Sequence, residues 1–133
     1  MIALDTNVLA RFVVADDPAQ SAAATTLIDS LSEAEPGYVS REVLIELVWL
    51  LRSVYAMPRD AIGGVIDRLL RSSTLVVEAD EDAVQALKSY QAGAGDFADL
   101  MILAAARRAG CETLYTFDRR LARQDGATLL EAT

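Results

Sequence analysis

Short apolar runs alternate with longer helical segments along the whole chain. IAL at 2–4, YVS at 38–40, TLVVE at 74–78, TLYTF at 113–117 and ATLLE at 127–131 are too short for helices and fit buried strands. Helical punctuation lies between them. Asp5, with Thr6 and Asn7, ends the first strand and caps a helix to about Ala15. Asp17 followed by Pro18 opens a second helix to about Ser32. A third runs from Arg41 to Tyr55, and a fourth from Pro58 to Arg71. Asp80 caps a fifth to Ala92, and a sixth from Asp96 to Ala109 is stopped by Gly110. Asp118 caps a short last helix. Such alternation predicts an α/β fold in which helices cover both faces of a parallel sheet. At 133 residues and 53% hydrophobic composition, residues 1–133 read as a single domain. In open parallel sheets ligands bind beyond the carboxyl ends of the strands, so the strand ends are where chemistry is expected.

Several classes drop out on composition. The longest nearly unbroken apolar run, VLIELVWLL at 43–51, contains a glutamate and is too short to cross a membrane. MIALDTN lacks the form of a secretion signal. The single cysteine, Cys111, allows no intramolecular disulfide and reads as a small buried residue. A cytoplasmic protein is the expectation. With no histidine there is no Ser-His-Asp triad and no histidine-ligated zinc, and DTNVLAR stands where a phosphate-binding glycine loop would follow the first strand. The net charge of −8 opposes a uniformly nucleic-acid-binding surface, yet Arg107, Arg108, Arg119, Arg120 and Arg123 cluster in 104–123 against only Glu112 and Asp118.

The acids are more informative than the bases. Asp5 and Asp118 directly follow strands, and Asp96 and Asp99 open the helix of GDFADLMILAAARRAG. Helix capping and the helix dipole explain such residues without any chemistry. Glu46 is harder to explain, because apolar residues surround it in VLIELVWLL; it is either a surface glutamate on a helix that meets another subunit, or a buried carboxylate that needs a partner such as Arg11 or Arg52, or a metal. If Asp5, Glu46, Asp99 and Asp118 converge at about 5 Å, each ionised pair repels by roughly 3 kcal/mol at an effective dielectric near 20, and a divalent cation is the natural counter-charge. An all-oxygen donor set favours Mg²⁺ or Mn²⁺. Such an ion can acidify a water and hold a phosphate oxygen, as phosphodiester hydrolysis requires.

LDTNVLARF, VSREVLIELVWLL, GDFADLMILAAARRAGC and LYTFDRRLAR, in this order and at these separations, resemble the PIN-domain ribonucleases, in particular toxins of the VapC type. The resemblance implies a three-layer α/β/α sandwich around a central parallel sheet. It implies that Asp5, Glu46, Asp99 and Asp118 form an acidic quartet around Mg²⁺ or Mn²⁺, Asp5 and Asp99 being tied most directly to the metal. Asp96 matches an additional acid that either binds metal or caps its helix. Thr6 and Asn7 match a polar pair supporting the first aspartate, and Ser40 and Thr116 match hydroxyls lining the site. The implied activity is metal-dependent endoribonuclease cleavage of RNA, with Asn7, Arg119 and Arg120 as candidate substrate contacts. The implied partners are a cognate antitoxin and a second copy in a homodimer, for which Trp49, Leu50 and Leu51, near Leu44 and Leu47, give a physical motive. The alternative is a catalytically inactive PIN-like domain that binds RNA or protein, against which the four intact acids argue. A receiver or aspartate-nucleophile phosphatase domain is disfavoured, because Asn7 stands where a second acid is expected and Lys88 is the only lysine.

Overall fold

The apolar runs form strands and the capped segments form helices, largely where punctuation places them. The structure, a computed structural model, describes residues 1–132. It divides into two compact units, Met1–Ala79 and the chain from Asp80 onward.

The first unit runs β1 (Ile2–Ala3), α1 (Thr6–Val13), α2 (Pro18–Asp29), β2 (Gly37–Val39), α3 (Arg41–Ser53), α4 (Arg59–Arg71) and β3 (Leu75–Val77). Each return between strands passes through two helices, which lets successive strands run parallel. They form one sheet in the order β1-β2-β3, with Ala3, Tyr38 and Val76 level across it. Gly37 sits in the middle strand because there is no room for a side chain: a Cβ there would lie 2.9–3.1 Å from methyl carbons of Leu31, Leu4 and Leu75.

In α3, Leu44, Leu47, Val48 and Leu51 are buried at helical spacing and Leu50 is partly covered, while Glu42, Glu46 and Trp49 lie on the exposed side. This corrects the reading of α3 as apolar all round. Its leucines are consumed by the core of their own unit, and Trp49 alone of the apolar set is largely exposed, at 54%. Arg11 does not pair with Glu46: its guanidinium donates to Asp16 Oδ1 at 2.9 Å, to Gln20 Oε1 at 2.8 Å and to the Tyr55 hydroxyl. That network ties α1 to the start of α2 and to the chain just after α3.

The second unit runs α5 (Asp80–Gln91), α6 (Phe97–Arg108), β4 (Leu114–Thr116), a single 3₁₀ turn at Leu121–Arg123 and β5 (Ala127–Leu129), with β4 and β5 paired in parallel. Its core holds Ala83, Leu87 and Tyr90 of α5 and Phe97, Met101 and Ala104 of α6. The Tyr90 and Phe97 rings meet edge to face at 5.9 Å. Asp82, almost wholly buried, accepts from Arg108 Nε at 3.0 Å, which offsets its desolvation. Gly110, at φ +81, supplies the left-handed residue that ends α6. Cys111 directly after it is exposed rather than buried, because the chain has by then left the helix and its packed face.

The α/β class and the parallel strands agree with the sequence. The strands hydrogen-bond as a set of three in the first unit and as a pair in the second. Among the described residues no helix is long and apolar enough to cross a membrane. Gly37→Val should lower stability by about 1–3 kcal/mol through overpacking, measured by urea denaturation; an unchanged midpoint would show that the three leucines yield freely.

Candidate active site

Parallel pairing brings the carboxyl ends of β1, β2 and β3 to one edge of the first unit's sheet. Two residues beyond the level row Ala3, Tyr38 and Val76 stand Asp5, Ser40 and Glu78. Backbone bonds from Leu4 N–H to the Tyr38 carbonyl and from Glu78 N–H to the Val39 carbonyl, both 2.9 Å, carry the ladder up to this edge. Asp5 occupies the N-cap of α1, yet its side chain accepts no cap hydrogen bond. Two other N-caps of the same unit are used. Asp17 accepts from Gln20 N–H at 3.1 Å and Ser40 from Val43 N–H at 3.2 Å. Capping therefore explains Asp17 and Ser40, and leaves the Asp5 carboxylate unexplained.

Asp5 and Ser40 line an open cavity of about 350 Å³ together with Ala3, Leu4, Tyr38 and Val43. Glu46 is not among its lining residues, and its exposure on α3 corrects the expectation of a buried carboxylate in need of compensation. Thr6 is buried at the start of α1. Asn7 faces a different cavity, shared with Arg11 and Gln20. Glu78 is absent from the sequence-derived candidates, although the rule that selects Asp5 and Asp118, an acid directly after an apolar strand, applies to it equally.

In the second unit Asp96 holds the N-cap of α6 with extended backbone, but its side chain makes no cap bond, so the expectation that it caps the helix holds for position and not for the carboxylate. Asp99, one turn further on, is partly buried; desolvation, then the charges of Asp118 and Asp96, push its pKa above the ordinary value. Asp118 and Asp96 thus each act on Asp99. Asp118 does cap: its Oδ1 accepts from the N–H of Arg120 at 2.8 Å and of Leu121 at 3.0 Å, and its own N–H donates to Thr116 Oγ1 at 3.0 Å.

Three of the clustered arginines have structural partners. Arg108 binds Asp82, Arg107 donates to the Asp125 carbonyl and Arg120 to the Gly93 carbonyl. Arg119 and Arg123 are exposed. Neither unit by itself gathers three or more acids tightly enough to hold a metal ion, among the described residues. The donor chemistry nonetheless fits a hard cation: carboxylate oxygens, no histidine, and like charges set against one another.

Residues 2–127 match the PIN domain family, and the chain belongs to that family. It is similar to a VapC ribonuclease of Aquifex aeolicus (strain VF5), with 28% identity over 117 residues, which are 88% of this chain and 87% of that protein. It also aligns with the crystal structure of Mycobacterium tuberculosis VapC20, a Sarcin-Ricin loop cleaving toxin, over 92% of this chain and 94% of that one, at 27% identity and a TM-score of 0.46.

The raised pKa of Asp99 has a consequence for stability. The folded chain binds this proton more tightly than the unfolded chain, so stability falls as pH rises from the ordinary aspartate value of 3.8 through the elevated folded value. Asp99→Asn should therefore melt above wild type at pH 7 in EDTA, with the gain vanishing below the ordinary carboxylate range. Equal melting temperatures at pH 7 would contradict the raised pKa.

Proposed function

We propose that this protein is a divalent-metal-dependent endoribonuclease, the toxin of a toxin–antitoxin pair. The observation that carries the reading is a pair of carboxylates that folding does not use. Asp5 sits at the N-cap of α1 and caps nothing with its side chain, while Asp99 is partly desolvated and faces the charges of Asp118 and Asp96. Stability gains nothing from such an arrangement, whereas a cation site needs it. Membership of the PIN family and the similarity to a VapC ribonuclease across most of the chain supply the reaction class.

On this reading Asp5, Glu46, Asp99 and Asp118 hold Mg²⁺ or Mn²⁺, with Asp96 as a further oxygen donor. When bound, the ion offsets the carboxylate charge, acidifies a water and stabilises the charge that develops on the phosphodiester. Asp118, fixed by two backbone N–H groups, presents its carboxylate in one orientation. Arg119 binds a flanking phosphate of the RNA, and Arg120 assists, because a guanidinium carries donors beyond the one spent on Gly93. Asn7, exposed and two residues after Asp5, adds a polar contact to substrate. A cognate antitoxin regulates the activity in the cytoplasm. Trp49 provides an apolar anchor for a homodimer.

Asp5→Asn and Asp99→Asn should each reduce Mg²⁺-dependent cleavage of RNA by at least about 100-fold while circular dichroism stays native. Undiminished cleavage by both variants refutes the assignment. Arg119→Ala should instead weaken RNA binding and lower the slope of log K against log salt by about 0.7, the contribution of one phosphate contact on single strands. An unaltered slope would remove Arg119 from the interface.

A further inference from the structure

We infer that Glu78 is a positioning residue of this nuclease, its carboxylate fastening the first turn of α3 to the carboxyl end of the sheet beside Asp5. The inference rests on the function proposed above.

Glu78 is itself well fixed. It follows β3 directly, and its N–H donates to the Val39 carbonyl at 2.9 Å, so the ladder between β2 and β3 extends through it. Its Oε1 accepts from the N–H of Arg41, the first residue of α3, at 3.0 Å. A helix leaves its first four N–H groups without internal partners, and here two are taken by different means. Ser40 caps Val43 N–H from within the same segment, which shapes the helix start but anchors it to nothing else. Glu78 reaches α3 from another strand, 37 residues away in sequence, and so ties the helix to the sheet. A carboxylate suits that place, since it meets the positive end of the helix and its bond to the amide is charge-assisted.

The same carboxylate stands two residues beyond Val76, the register partner of Tyr38, and its charge bears on the Tyr38 phenol. Desolvation, then the negative charges of Glu78 and Glu42, hold the phenol above its ordinary pKa. Tyr38 is a wall of the cavity that Asp5 and Ser40 line. One side chain therefore joins the end of β3 to the start of the helix that carries Glu46, beside the cavity lined by Asp5, Ser40 and Tyr38. Without it the first turn of α3 loses its bond to the end of β3. Displacements of about 1 Å in supporting groups can cost 100-fold in rate, because the reacting groups lose alignment while substrate still binds.

The test is steady-state cleavage of a single-stranded RNA oligonucleotide by the full chain with Mg²⁺, well below the melting temperature. Glu78→Ala should lower kcat by roughly 10- to 100-fold with KM within about twofold of wild type. Glu78→Gln keeps an acceptor oxygen at the same reach and should restore kcat to within about threefold. Should the alanine variant not fold, Glu78→Asp, which keeps the charge but withdraws it by one methylene, should show the same loss of kcat. Wild-type kcat in Glu78→Ala or Glu78→Asp would overturn the inference, as would equal losses in Glu78→Ala and Glu78→Gln. The wild-type chain in the same assay separates the two levels: if it cleaves nothing with Mg²⁺, the nuclease reading itself fails, whereas normal wild-type cleavage beside a fully active Glu78→Ala removes only the role of Glu78.

Discussion

The parallel pairing of β1, β2 and β3 is the constraint on which the first unit depends. Parallel strands must end on the same side, and every return between them must run the length of the unit through helices. Helices that follow such strands begin where the strands stop. Asp5 and Ser40 are therefore strand-end residues and N-cap residues at once, and Glu78 stands in line with them at the end of β3. Gly37 makes the arrangement possible by letting Leu4, Leu31 and Leu75 close over the middle strand.

How the polar groups at helix starts are used separates architecture from chemistry. Asp17, Ser40 and Asp118 spend their oxygens on backbone N–H groups. Asp5 holds the same kind of position and does not. Asp99 is raised by its surroundings in the direction that disfavours its charged form. These two are among the carboxylates that the function proposed above assigns to a cation.

Much of this is legible without coordinates. Asp17–Pro18, Pro58 and Gly110 mark helix limits through chemistry contained in a few adjacent residues, and the structure follows them within a residue or two. Short β-branched runs such as TLVVE locate strands for the same reason. Where structure and sequence differ, the cause is shared. Glu46 reads as buried because its immediate neighbours in sequence are apolar, but a helix turns about 100° per residue and places Glu42, Glu46 and Trp49 on a side that the leucines leave to solvent. Residue type makes Cys111 a core residue, whereas the turn it occupies exposes it. Position makes Asp96 a capping residue, whereas its side chain makes no cap bond.

By itself, then, the sequence determined the α/β class, the order and limits of the helices, the absence of histidine chemistry and the acids worth watching, because propensity, capping and composition act over a few residues or over the whole chain. Only the tertiary structure decided which carboxylates are spent on backbone, that Asp118 and Asp96 bear on Asp99, and that Glu78 meets Arg41. These are properties of distance between residues remote in the chain, and distance is set by packing.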